Sequence, residues 1–194
     1  MSINKLIENF SNDIFPLGEE EINQLKSKFK ERRIKRRQFI LQEGDICKHY
    51  TFVSDGCLKL YKIDLNGKER NLQFAIENEW ISDLGSFYSE TSSEVYIEAL
   101  EQSTILQIER KDLYYLYTHY QNIDRRFRVV IENSFIYLQK RMFQNISATA
   151  EEKYLFFYNT RRNLFNRISN VQIASYLGVT PEFLSTIRKK IAKS

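Results

Sequence analysis

Cysteine and histidine are nearly missing from this 194-residue chain, with two of each. Cys47 and Cys57 form neither a disulfide framework nor a CxxC-type metal site, and they read as two reduced thiols in a strand-rich stretch. His49 and His119 stand far apart, and a lone histidine among strands or aromatics is more often structural than a ligand. There is no Ser-His-Asp constellation, phosphate loop or metal-ligand cluster, so neither catalysis nor a cofactor or metal is expected. No apolar run reaches membrane-spanning length, and no basic-then-apolar segment opens the chain. The expectation is a cytoplasmic protein with no membrane partner. Internal repeats and low-complexity stretches are also missing.

What is present suits a globular chain. Its length allows one domain or two small ones, and 42% hydrophobic against 28% charged residues is ordinary for a packed core. Residues 3–10 and 18–31 read as amphipathic helices, the second opening on Glu19, Glu20 and Glu21 at its positive end. From Phe39 to about Ile108 the pattern changes to short apolar runs: QFIL, HYTFV, CLKLYKI, NLQFAI, VYIEAL and TILQI. Gly44-Asp45, Asp55-Gly56 and Asn66-Gly67 punctuate them, and Asn66-Gly67 is a hairpin signal. This predicts about eight antiparallel strands in a sandwich or barrel.

Helical character returns after Glu109, first over Arg110–Tyr117. A long helix follows from Ile123 to about Ile146, with Ile123, Phe127, Val130, Ile131, Ser134, Leu138 and Met142 along one side. That seam suits pairing with the same helix of a second subunit, or packing on the chain's own strands. Thr149 and Glu152 form a capping box for a helix to about Thr160. The class is therefore α+β, with a domain boundary near 146–149.

Residues 170–189, NVQIASYLGVTPEFLSTIRK, read as two short helices at a tight turn. Ser169 and Gln172 make a capping box, and Ile173, Ala174 and Leu177 give the first helix a buried stripe. Gly178 sits where the chain leaves that helix in a left-handed conformation. Thr180 can cap the second helix and Pro181 fits its first position. Phe183, Leu184 and Ile187 are its expected inner face. Small Ala174, then Gly178, then Leu184 is the spacing of a helix-turn-helix unit, whose second helix enters the DNA major groove. A plain helical hairpin packed for stability would share the spacing but not the charge. Residues 161–194 hold seven basic side chains against one acid, Glu182, for a net +6. The whole chain is +4, so residues 1–160 carry −2. Neutralising phosphates is what such a charge does.

A strand block, a long central helix and a C-terminal helix-turn-helix in about two hundred residues resemble the Crp–Fnr family of bacterial transcription regulators. Gly44-Asp45, FVSDGCLKLY (52–61), DLNGKERNLQF (64–74) and EWISDLGSFY (79–88) are similar to segments of the family's cyclic-nucleotide-binding-like β-roll. TPEFLSTIRKKI is similar to the short DNA-binding end of family members from the Bacteroidetes group. The resemblance implies an effector domain over residues 1–122, a dimerisation helix over 123–146 and a helix-turn-helix domain over 147–194. It also implies a homodimer through 123–146 that reads palindromic double-stranded DNA. A small-molecule effector would shift the population of DNA-competent dimers. An activator of this kind would also touch RNA polymerase. The competing reading is a small-molecule-binding module with a vestigial DNA-binding end.

Several positions depart from the family pattern. Members that bind cyclic AMP carry a Gly-Glu pair and an Arg-Ser/Thr pair around a short helix. Here Ser82-Asp83, followed by Leu84, and Ser93-Glu94 stand at those places. The phosphate-pairing arginine is missing and a carboxylate stands beside its place, so tight cyclic AMP or cyclic GMP binding is not expected. Two cysteines cannot supply the four thiolates of an iron–sulfur sensor. Many members end in a β-wing, whereas only Ala192, Lys193 and Ser194 follow Ile191, too few for a hairpin. On the second helix, Glu182, Ser185, Thr186 and Lys189 fall on the outer face. Glu182 lies where a family acid accepts from cytosine N4, and Pro181 replaces an arginine that reads guanine. Thr180, Arg188, Lys189 and Lys190 are assigned to phosphates, and Ser185 and Thr186 to bases or phosphates.

Overall fold

The computed structural model describes residues 2–11 and 16–191. The chain divides into two compact units: residues up to 62 with 73–131, and residues 63–72 with those from 132 onward.

The first unit opens with α1 (Ser2–Ser11) and α2 (Glu19–Lys28). The strands are β1 (Lys30–Ile34), β2 (Phe39–Leu41), β3 (His49–Asp55), β4 (Leu58–Ile63), β5 (Glu69–Ala75), β6 (Glu79–Ile81), β7 (Tyr96–Ala99) and β8 (Ser103–Glu109), with α3 (Leu84–Ser89) between β6 and β7; all belong to the first unit except the last residue of β4 and the first four of β5. They form two four-stranded sheets ordered β1-β8-β3-β6 and β2-β7-β4-β5. The β1–β8, β3–β8, β3–β6, β2–β7 and β4–β7 pairs are antiparallel. The expected β-roll is there, but it starts earlier than its apolar runs suggest. The second helix stops at Lys28, and KERRI (30–34), partly assigned to that helix, is an edge strand paired only with β8. Four of its five residues are exposed, so it shows no alternation, and Lys, Glu and Arg favour helix by themselves.

Asn66-Gly67 does mark a hairpin, with a loop of three residues, Leu65 to Gly67. Asp64 N donates to Lys68 O (2.9 Å), and the Asp64 carboxylate accepts from the N–H groups of Asn66 and Lys68. Where the two sheets and helices meet, Trp80 lies among Phe10, Phe29, Tyr50, Phe52 and Phe127, with ring centroids 4.6–6.2 Å away. Each such pair adds about 0.5–1.5 kcal/mol beyond burial of its area. On the other sheet Lys59 is buried opposite Glu98, their charged atoms 3.2 Å apart, with the Lys59 ammonium 4.0 Å from the Tyr61 ring centre.

α4 (Arg110–His119) runs two residues past its expected end, and α5 (Gln121–Ser147) is the long helix. Ile123 and Phe127 are buried in the first unit's core, with Val130 packed against it. From there the expected seam is not covered: Ser134, Leu138 (57% exposed) and Met142 (55%) face outward, as does Phe135 (60%), which the seam does not include. Farther along, the helix meets its own chain through a different side, with Tyr137 hydrogen-bonded to Tyr176 (2.7 Å) and Arg141 donating to Leu72 O. Among the described residues, no helix is long and apolar enough to cross a membrane.

The second unit continues with α6 (Ala150–Thr160), α7 (Arg162–Phe165), α8 (Asn170–Leu177) and α9 (Pro181–Ile191). Both capping boxes form, Thr149 with Glu152 and Ser169 with Gln172. Its small core includes Tyr154, Phe157, Leu164, Ile168, Ile173, Ala174, Leu177, Leu184 and Ile187. The 63–72 segment joins it: Asn71 N donates to Ser175 Oγ (3.0 Å), and Ser175 Oγ donates to Glu69 O (2.7 Å). Ala192, Lys193 and Ser194, on which the missing wing was argued, lie outside the described residues.

Candidate functional site

The α8–α9 pair is built from the residues that predicted it. Gly178 leaves α8 at φ 71°, donating back to Ala174 and Ser175 carbonyls. Ala174 is fully buried, and Leu184 and Ile187 hold α9 to the unit. Thr180 Oγ1 accepts from Phe183 N (3.2 Å), capping α9. Glu182, Ser185, Thr186 and Lys189 are exposed and follow one another at helical spacing, so they share one face. Hydrogen bonds from its own backbone N–H and from Thr180 hold the Glu182 carboxyl below the usual range, so it is an ionised acceptor. Ser185 Oγ donates to Pro181 O (2.9 Å) and Thr186 Oγ1 to Glu182 O (3.2 Å).

Phe183 sits differently from expectation, and Arg188 and Lys190 have partners within the chain. Phe183 is not part of the inner face but 51% exposed. The buried stripe runs through Leu184 and Ile187, and Phe183 lies one position, about 100°, off it. Arg188 donates to Asn170 Oδ1 and its guanidinium lies 5.1 Å from the Phe165 ring centre. Lys190 pairs with Glu151 at 2.6 Å. Arg188 and Lys190 thus tie α9 to α8 and α6, and exposed Lys189 is the cation on the outer stripe.

Of the residues the resemblance places at the effector pocket, Asp83 and Ser93 bond to each other, and Ser82, Leu84 and Glu94 have other partners. Asp83 caps α3: its Oδ1 accepts from Ser86 N (3.2 Å), while its Oδ2 accepts from Ser93 Oγ (2.8 Å). Ser82 is buried, accepting from Thr51 N (3.0 Å) and donating to His49 O (3.1 Å). Leu84 begins α3 and packs against the core. Glu94 is exposed and pairs with Lys62, which raises the Lys62 pKa.

Sequence reasoning missed a cavity of about 320 Å³ inside the first unit, lined by Arg32, Asp45, Cys47, His49, Thr51 and Gln107 among others. Arg32 donates to Gln107 Oε1 (2.7 Å), and Gln107 Nε2 donates to Thr51 Oγ1 (3.1 Å). Burial lowers the His49 pKa and raises that of Cys47. Its lining comes from separate strands and the loop before β3, so no local motif announces it. His119 stacks on Tyr115, ring centroids 4.2 Å apart.

Comparison with known proteins agrees with this architecture. Residues 31–120 match the cyclic nucleotide-binding domain. No curated protein matches the chain. Among solved structures, the c-di-GMP-responsive global regulator CLP of Xanthomonas campestris aligns with a TM-score of 0.71 and 15% identity, covering 91% of this chain and 92% of that one. FixK2 of Bradyrhizobium japonicum gives 0.73 and 18%, covering 85% of each. The catabolite activator protein of Thermus thermophilus gives 0.57 and 19%, covering 95% and 87%. At these identities the likeness is one of fold: a β-roll of cyclic-nucleotide-binding type followed by C-terminal helices.

Proposed function

We propose that this chain is a transcription regulator of the Crp–Fnr type, of the short-ended form seen in Bacteroidetes, which reads palindromic double-stranded DNA as a homodimer in the cytoplasm. The observation that carries this reading is the exposed stripe Glu182, Ser185, Thr186 and Lys189 on α9. It is held outward by buried Leu184 and Ile187, in the part of the chain where positive charge concentrates. Residues 1–122 serve as the effector domain, 123–146 as the pairing helix and 147–194 as the DNA-binding domain. The outward Phe135, Leu138 and Met142 are the apolar surface a second copy would cover. Thr180 and Lys189 hold phosphates, and Glu182 accepts from a base edge. Partners under this reading are DNA, a second copy, a small-molecule effector other than a cyclic nucleotide and, for an activator, RNA polymerase. The reading involves no catalysis.

The test is selection of bound sequences from a random DNA pool by purified protein without added ligand. An inverted repeat with half-sites about 34 Å apart supports it. Weak, salt-sensitive binding with no recovered motif, with or without candidate effectors, favours a small-molecule-binding module whose helical end no longer reads DNA.

A further inference from the structure

We infer that Phe183 is a base-reading residue that packs on the C5-methyl group of a thymine, next to the base pair that Glu182 contacts. This rests on the DNA-reading proposal above and adds to it what the helix recognises.

Phe183 lies in the first turn of α9, and the first turn of a recognition helix comes closest to base edges. The ring is half exposed at the edge of the outer stripe, one position from Glu182 and three from Thr186, with buried Ile187 on its other side. The unit has other aromatic side chains to pack with, and Tyr154, Phe157, Tyr158, Phe165 and Tyr176 make ring contacts with one another. Among the described residues Phe183 makes none. One isolated ring is far too little area for a protein–protein interface, which needs on the order of 1,000 Å². It is enough for a methyl group, and thymine alone of the four DNA bases presents one in the major groove.

The rest of the face makes this contact matter more. Arg188, which otherwise has the geometry for bidentate guanine recognition, is turned to Asn170 and Phe165. The Ser185 and Thr186 hydroxyl protons go to backbone carbonyls of the helix itself. Ionised Glu182 accepts only, so it selects an amino group. An acceptor at one position and an apolar ring at the next match a cytosine (or adenine) amino group beside a thymine methyl.

The experiment uses the site recovered from the random pool. Each thymine of a half-site is replaced in turn by uracil, which removes the methyl and leaves the Watson–Crick pairing. Affinity is measured for the full chain and for Phe183→Ala. One thymine per half-site, adjacent to the position whose preference changes in Glu182→Gln, should show about a fourfold loss on methyl removal, and Phe183→Ala should show none there. Phe183→Leu should retain part of the discrimination. Because the ring is only half buried, Phe183→Ala should lower the unfolding midpoint modestly and leave the dimer mass unchanged, and a changed dimer mass would move the residue to a subunit contact and overturn the proposal. Uracil substitution without effect at every thymine, or with equal effect in Phe183→Ala, overturns the role of Phe183 while leaving DNA reading intact. Failure to recover any site overturns both.

Discussion

Lys59 shows what a single residue can demand of its surroundings. Its side chain is 5% exposed, and Glu98 across the strand pair answers its charge. Removing one partner of a buried pair leaves the other charge uncompensated, which costs about 3 kcal/mol. Glu98→Ala should therefore lower the unfolding free energy by about that amount in urea titrations, and the Lys59→Met/Glu98→Met pair should recover most of it. At the same scale, Asp83 and Glu94 bear on the ligand. Asp83 is bound to Ser86 and Ser93, and Glu94 to Lys62, so under the proposed reading a phosphate brought to the family's pocket would meet two carboxylates already in place. Equilibrium titration should show no cyclic AMP or cyclic GMP binding tighter than about 1 mM; micromolar affinity would refute this view of the pocket. The residue types at 82–84 and 93–94 were legible from the sequence. The hydrogen bond that joins Asp83 to Ser93 was not, because ten positions and the whole of α3 separate them.

Elements depend on how their ends are finished. Gly178 and Gly56 both have positive φ, but their surroundings differ. A Cβ at Gly178 would meet nothing within 4 Å, so Gly178→Ala carries only the left-handed penalty, about 1 kcal/mol. A Cβ at Gly56, at φ 101°, would lie 2.2 Å from Ser103 Oγ and 2.6 Å from Ser103 Cα. Gly56→Ala should thus cost well over about 3 kcal/mol and aggregate on expression, whereas Gly178→Ala should fold with a modestly lowered thermal midpoint. Capping chemistry is local, so Ser169, Gln172, Thr149 and Glu152 could be assigned in advance. KERRI could not, because an edge strand is decided by its partner β8 and not by its own pattern.

At the scale of the whole molecule the open question is what covers α5. Phe135, Leu138 and Met142 recur at intervals of three and four residues, the spacing of a helix-pairing seam. Leu138→Glu, alone or with Met142→Glu, should turn a dimer into a monomer in sedimentation velocity while leaving the fold by circular dichroism unchanged. A wild-type monomer at micromolar concentration would refute pairing through this helix. The same variant should weaken DNA binding, because two half-sites held by one dimer are bound with a high effective concentration.

The sequence by itself determined the strand block, the long helix and the capped α8–α9 pair. Each of these is specified by short-range periodicity, turn residues and caps acting within a few positions. It also determined where positive charge collects. Tertiary structure alone decided which of those residues remain available. It turned Phe183 outward, drew Arg188 to Asn170 and Lys190 to Glu151, set Asp83 against Ser93, and gathered Arg32, His49, Thr51 and Gln107 around one cavity. Contacts of this kind join residues far apart in the chain, and a linear pattern shows a residue's type and phase but not which distant groups will meet it.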